Sequence, residues 1–377
     1  MILYIGIALF YIMCMLIEKI LGQRINRAGW TVFLLLPLFV LVAFRAPTIG
    51  TDTLNYYQSY LLIAQESFFS TSASRLEFGY VMLARLISSL GLDFLGFQIV
   101  TTFFIFFSFG KFIYKYSMYL AFSVYFFVTS RMLFGTMNIS RQYIAVAILL
   151  FSVDSLQKRR FVRFSIIVLL ASFFHSTAIV FLIMYPLIGL KINFRKTIFI
   201  IGSGILSSIF FDYLIRIFIN ITGKYEGYLD GGYFNFEGNI AIYFNLLINF
   251  SFFIVGLVIG YWNTSKEINK NTLSEKTSGK NRIKFSPNEK VWYVVCLLAL
   301  IVSIVGLNST IMSRIELYFS VFFLAYIPSL IQTIKSKEIR VIISSSIIVG
   351  LFASFLVIMV YRPNWTTVFP YYWYWNW

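Results

Sequence analysis

Histidine occurs once in this chain, cysteine twice, and charged residues fill only 12% of its 377 positions. Each shortage excludes something. His175 is the lone histidine, and Cys14 and Cys296 both sit inside apolar stretches, so neither a disulfide framework nor a zinc site can be assembled, and no cofactor is expected. A soluble domain carries about 25% charged residues, and half that share leaves too little polar surface to cover a water-soluble fold. The first segment lacks both a basic leader and a small-residue cleavage site, which predicts a retained helix and not a signal peptide.

What is present is apolar: 59% of the residues are hydrophobic and 20% aromatic. Segments of about 20 apolar residues recur along the whole length, so the expected solvent is a bilayer. The fold class this predicts is an all-α polytopic membrane protein, one integral membrane domain over residues 1–377. A net charge of +16 would suggest nucleic acid in a soluble protein, but its distribution argues against that partner. Basic residues cluster in short loops: Lys19, Arg24 and Arg27; Lys111 and Lys115; Lys158, Arg159, Arg160 and Arg163; Lys191, Arg195 and Lys196; Lys335, Lys337 and Arg340. The polar stretch 263–290 holds seven more, from Lys266 to Lys290. The positive-inside bias makes these the cytoplasmic loops.

About ten full transmembrane helices follow, near 2–21, 30–45, 94–114, 117–134, 138–156, 197–219, 240–262, 291–311, 313–334 and 340–361. Alternation places both termini outside, together with large loops at about 45–93 and 220–239. Residues 164–189 are apolar yet carry basic clusters at both ends, which predicts a hairpin of short helices turning near His175. The loop before residue 94 is too long to be only a connector. It holds a Tyr-rich amphipathic stretch near 53–69 and an apolar stretch at 78–92, and long ordered loops of this kind are usually functional.

The cations change type between the two faces. Of the 22 basic residues assigned to the cytoplasmic side, 14 are Lys and 8 are Arg; the other nine are Arg45, Arg75, Arg85, Arg131, Arg141, Arg216, Lys224, Arg314 and Arg362. Arginine offers a rigid fork to phosphate oxygens and tolerates partial desolvation, so the outer face reads as built to hold an anion, most simply a phosphate or diphosphate. Singly, each arginine equally fits snorkelling to headgroups or pairing with a nearby acid. Arg216 has Asp212 one turn earlier and is assigned a structural role. Arg362 and the run Tyr371 to Trp377 read as an interfacial anchor, with a sugar-stacking platform as the other use of those rings.

Three places stand above this background. Arg45 to Tyr57 reads RAPTIGTDTLNYY, a cation followed by a Gly-Thr-Asp turn and paired tyrosines, with Glu77-Phe78-Gly79-Tyr80 later in the same loop. Asn138-Ile139-Ser140-Arg141-Gln142 opens a helix, where backbone N–H groups beside a guanidinium suit a phosphate. Phe173-Phe174-His175-Ser176 lies at the hairpin tip; a lone histidine there is either packed with a satisfied hydrogen bond or functional.

In this order the motifs R…GTDxxxYY, ExGY, NxxRQ and FFHS resemble the EpsG family, relatives of the Wzy polymerases that build bacterial capsular and exopolysaccharides. The resemblance covers about residues 30–190 and extends more weakly through Lys224-Tyr225-Glu226-Gly227-Tyr228. It implies a multi-pass protein of the bacterial cytoplasmic membrane and a metal-independent glycosyltransferase. The implied reaction transfers a glycan from undecaprenyl diphosphate onto a lipid-linked repeat unit, with a flippase and a chain-length regulator as partner proteins. For such chemistry, preorganised guanidinium groups stabilise the departing diphosphate, and Arg45 and Arg141 lead, followed by Arg314. Asp52, Glu77 and His175 are the candidate bases for the acceptor hydroxyl, Asp52 first because it shares a segment with Arg45 and the tyrosines. Thr51, Tyr56, Tyr57, Asn138, Gln142, Tyr225 and Tyr228 are the candidate substrate contacts, although Tyr56 and Tyr57 equally suit interfacial tyrosines. Three other classes remain open at this point. A flippase or transporter of the same glycan would need charges along a membrane path and repeat symmetry. An acyltransferase based on His175 would explain the histidine but not the arginine bias, and a structural membrane subunit would leave the motifs dispensable.

Overall fold

The computed structural model describes residues 1–66, 76–190, 194–211, 213, 216–217, 240–270, 287–308, 310–334, 336–362 and 366–377. Among these residues all regular structure is helical, and extended pairing is limited to one isolated bridge between Arg45 and Trp373. In chain order the first helices are α1 (Ile2–Leu21), α2 (Arg27–Ala43), α3 (Thr53–Gln65), α4 (Phe78–Ser89), α5 (Phe94–Tyr116), α6 (Leu120–Thr129), α7 (Met132–Asn138) and α8 (Ser140–Leu150). Then come α9 (Val153–Gln157), α10 (Phe161–Ser172), a 3-10 segment (Ser176–Ile183), α11 (Met184–Gly189) and α12 (Phe194–Ile209). The series closes with α13 (Ile240–Lys270), α14 (Pro287–Val305), α15 (Thr310–Ser320), α16 (Phe323–Gln332) and α17 (Lys337–Tyr361).

Local chemistry sets several boundaries. The Asn26 side chain accepts from the N–H groups of Ala28 and Gly29 to start α2, Asp93 accepts from Gly96 to start α5, and Ser336 accepts from Ile339 to start α17. The break between α6 and α7 is a 59° bend at Ser130–Arg131, where Arg131 adopts a left-handed φ of 66°. Among the described residues four helical stretches are fit by length and composition to cross a membrane: Ile2–Leu21, Phe94–Tyr116, Arg314–Gln332 (within α15 and α16) and Lys337–Tyr361. The α6–α7 pair makes up to five if counted as one bent span. Other apolar stretches are 10–17 residues long, among them Ile242–Val258 within α13 and Lys290–Val305 within α14, short of the ~20 residues a straight crossing needs. The expected long segments 117–134 and 138–156 are each divided in two, because hydropathy registers the apolar run and not the breaks within it.

The chain folds as two compact units, Met1–Val153 with Val162–Ile179 and Leu324–Trp377, and Asp154–Phe161 with Val180–Phe323. In the first, α5 lies between α2 and α8, and α1 packs on α6. All ten residues of α6 are buried, whereas α1 buries only Tyr4, Ala8, Tyr11 and Cys14, one stripe at helical spacing. Ile2 and Ile20, on the uncovered side of α1, are more than 80% exposed, a surface suited to lipid and not to water. Glu18 joins the two helices by accepting from the N–H groups of Leu120 and Ala121 at the start of α6. Ser123 donates to the Leu324 carbonyl and Tyr125 to that of Ile348, tying α6 to the later segments.

In the second unit α14 is the central helix, contacting α11, α12, α13 and α15. Phe181 stacks on Phe319 and Phe322, and Thr197 and Tyr293 share a 2.8 Å hydrogen bond. A buried polar knot links three helices: Asn249 of α13 donates to Ser303 of α14 and, at 2.9 Å, to Glu316 of α15. Arg159 hydrogen-bonds the Tyr185 carbonyl and lies 4.0 Å over its ring, while the Tyr185 hydroxyl donates to the Arg159 carbonyl. The stretch 164–189, expected as a hairpin, thus has Tyr185 near its end held by Arg159 just before its start. Its helical hydrogen bonding is interrupted at Phe173–His175, where the turn was expected. The basic stretch 263–290 begins as the end of α13 and finishes in α14, and residues 271–286 lie outside the described residues, as do the loop 220–239, Arg75, Lys224 and Asp212.

Candidate functional site

In the first unit the four sequence motifs come together through backbone and side-chain contacts. The turn after Arg45 docks on the end of α7. Gly50 has a φ of +95° and sits so close to the Met137 carbonyl that a Cβ would collide with it, which reserves the position for glycine. Thr53 then donates to the Met137 carbonyl at 2.7 Å. The Asn138 carboxamide oxygen accepts from the Thr51 hydroxyl at 2.6 Å and from the Asp52 N–H at 2.9 Å. The Asp52 carboxylate does not cap α3, and Asp52 is half-buried at its start.

A second junction joins the other motifs. The Gly79 N–H donates to the Phe173 carbonyl at 2.8 Å, and a Cβ on Gly79 would press on that same carbonyl. This contact brings the start of α4 against the turn that follows α10. Glu77 there bridges two side chains: its Oε2 accepts from Arg141 Nη1, and its Oε1 lies 3.0 Å from His175 Nδ1. The three side chains are 15–22% exposed, so the cluster is shielded without being sealed. Nδ1 itself is buried, with its N–H direction off the straight line to Oε1, an alignment that commonly tightens when substrate binds. Burial alone would raise the Glu77 pKa, but the His175 contact and the Arg141 charge overcome it and hold the carboxyl at about 2. Glu77 is thus an anion at any physiological pH and a weak proton acceptor.

Arg141 rests on Tyr56. Its Nε donates to the Tyr56 hydroxyl at 3.4 Å, and the guanidinium lies 5.4 Å over the ring. Tyr56 is 5% exposed and packs on Tyr80. The ring read above as a sugar contact or an interfacial tyrosine thus carries an arginine. Gln142, at 1% exposed, is likewise a core residue of α8 and not a surface contact. Tyr57 meets Phe94 and Trp377 edge-on and is half-buried.

Arg45 is the most buried of the three candidate arginines. It is 3% exposed, donates from Nη1 to the Val42 carbonyl, and its Nε has no hydrogen-bond partner among the described residues. Tyr4, Tyr56, Tyr80 and Tyr371 lie around it. The cover comes from the far end of the chain. Ala46 N–H donates to the Tyr372 carbonyl, Tyr374 N–H to that of Phe44, Gly50 N–H to that of Thr367, and the Tyr371 hydroxyl to that of Leu41. The terminal aromatic run is thus a strap over the Arg45 turn, with Trp373 and Trp375 stacked 5.5 Å apart and Trp375 64% exposed. Arg45 is thus buried beneath the strap, whereas the Arg141 side chain is 22% exposed. Arg314 is exposed and belongs to the second unit, Arg362 is exposed beyond α17, and Tyr225 and Tyr228 lie outside the described residues. Nothing in the early motifs signalled the strap, whose only trace is its own aromatic density. Among the described residues no three metal-ligating side chains converge.

An all-helical chain with apolar, bilayer-suited helices and a shielded Arg–Glu–His cluster defines a membrane protein with a polar site at its helix breaks. The chain belongs to the EpsG family, whose model matches residues 30–373. Membership points to an exopolysaccharide polymerase-like function. No curated protein and no solved structure matches the chain.

Proposed function

We propose that the protein is a polysaccharide polymerase that transfers a glycan from undecaprenyl diphosphate onto a lipid-linked repeat unit at the outer face of the bacterial cytoplasmic membrane. The observation that carries this reading is the Arg141–Glu77–His175 cluster, assembled from three of the four motifs and docked beside the Thr51-Asp52 turn. Diphosphate is already a good leaving group, so the protein's main task is to stabilise charge as the glycosidic bond breaks. Arg141 supplies a fork held by Glu77 and Tyr56, preorganised for that purpose. Thr51 and Asn138 line the adjoining turn as acceptor contacts, and Asp52 and His175 are the two groups left to receive the hydroxyl proton, because Glu77 is held as a weak base. The reaction so drawn uses guanidinium charge and no metal. The topology that goes with it has about ten crossings, basic loops inside, and the site and both termini outside; a flippase would deliver the substrate to that face, and a chain-length regulator would act on the product.

Purified protein given a defined lipid-linked repeat should form a ladder of polymer, and absence of polymer under conditions that keep it folded overturns the reading. Cells lacking the protein should accumulate single lipid-linked repeats on the outer leaflet; confinement to the inner leaflet would instead identify a flippase. Cysteines introduced near 160 and 270 should resist an impermeant thiol reagent in intact cells while one near 230 labels. The reverse pattern would move the site to the cytoplasm.

A further inference from the structure

Among the described residues Glu77 is the carboxylate that touches both Arg141 and His175, and it uses a separate oxygen for each. The oxygen on Arg141 fixes the clamp, and the oxygen beside Nδ1 gives the imidazole a fixed acceptor. A ring with a carboxylate against Nδ1 keeps its proton there and leaves Nε2 with a free lone pair. The burial of Nδ1 adds to this, since any substrate reaching the ring meets Nε2. The charged and titratable groups around the imidazole are Glu77 from the start of α4, Arg141 from α8 through Glu77, and Tyr56 from α3 beneath Arg141.

We infer that Glu77 is a positioning residue that holds His175 as its Nδ1–H tautomer, making Nε2 the atom that takes the acceptor hydroxyl proton. The inference rests on the polymerase reading above. In the step it describes, the acceptor oxygen forms a bond to the anomeric carbon as its proton passes to Nε2. The bond from that carbon to the diphosphate oxygen breaks, and the diphosphate leaves with the electron pair beside Arg141. The imidazolium then returns its proton to water or to the departing diphosphate. Asp52, the other available carboxylate, has its backbone N–H and not its side chain engaged at Asn138, and it serves the turn. One carboxylate thereby sets the distance between the group that handles the proton and the group that holds the leaving charge.

Glu77→Gln separates the parts. An amide accepts from one side and donates from the other, so it cannot satisfy both Arg141 and Nδ1–H as the carboxylate does. Turnover should fall about 10²-fold or more, with the KM for the lipid-linked donor changing much less. His175→Gln should fall comparably, and the double variant no further than the worse single one. Because His175 is the sole histidine, nitrogen NMR of protein labelled only at histidine reports its tautomer without assignment. A protonated Nδ1 and bare Nε2 are expected in wild type, with the proton moving to Nε2 in Glu77→Gln. A wild-type spectrum with the proton on Nε2 overturns the inference even if polymer forms. So does Glu77→Gln with normal turnover, or a collapse confined to Asp52→Asn. Wild-type protein that makes no polymer overturns the polymerase reading, and the spectrum still decides the tautomer on its own.

Discussion

In the unit containing Met1–Val153, polar side chains gather where helices stop. Glu77 precedes α4, Arg141 opens α8, His175 follows α10, and Asn138 ends α7. In the unit containing Val180–Phe323 the buried polar knot of Asn249, Ser303 and Glu316 is formed by residues within α13, α14 and α15. The difference separates two uses of polarity in an apolar chain. A polar group inside a continuous helix can only bridge to its neighbours, because the backbone around it is already satisfied. A polar group at a break shares its surroundings with free backbone N–H and C=O groups and with an opening to solvent. The first arrangement glues helices together. The second leaves room for chemistry.

If that distinction holds, the most damaging conservative change is Arg141→Lys. It retains the charge but loses the fork and the Tyr56 shelf, and polymer formation should drop about 10²–10³-fold at unchanged protein level. Wild-type rates from this variant would remove the contrast between the units. Next is acid. Glu77 has its carboxyl held at about 2 against an ordinary 4.5, so the stability it contributes is full above pH 4.5 and drains away as pH falls toward 2. The amount at stake is at most roughly 3 kcal/mol. Melting of detergent-solubilised protein between pH 6 and pH 3 should show the loss in wild type and a flatter response in Glu77→Gln.

Asn138→Ala comes third. It strands the Thr51 hydroxyl and the Asp52 N–H, at a cost of about 1–3 kcal/mol, and should reduce turnover because the turn loses its seat. In the other unit, Asn249→Ala should cost roughly 1 kcal/mol in stability, typical of interhelical polar bonds in membranes, with turnover per folded molecule intact. A large selective loss of turnover there would mean that the buried knot is more than glue. The smallest effect belongs to Arg362→Lys, an exposed residue past α17, where stability should stay within about 0.5 kcal/mol and activity should not change.

How far the sequence could be read follows the same line. The motif residues Gly50, Glu77, Gly79, Asn138, Arg141 and His175 stood out because each interrupts an apolar run, and the structure brings them to two adjoining junctions. Helical content was legible from hydropathy, but continuity was not. The bend at Arg131 and the break between α15 and α16 contain neither glycine nor proline. The burial of Arg45 and Tyr56 was not legible for a different reason. What covers Arg45 is more than 300 residues away along the chain, and what lies on Tyr56 is 85 residues away. Local pattern carries no information about such contacts.

The strap also imposes an order of events. Tyr4 and Val368, joined by a hydrogen bond, are separated by 364 residues, and Tyr371 reaches back 330 to Leu41. During synthesis the Arg45 turn leaves the ribosome more than 300 residues before its cover, so the turn must wait in an unfinished state until the strap has been made. A nonsense codon at Thr366 would delete none of the groups proposed to meet substrate and still leave Arg45 uncovered. Such alleles should behave as nulls.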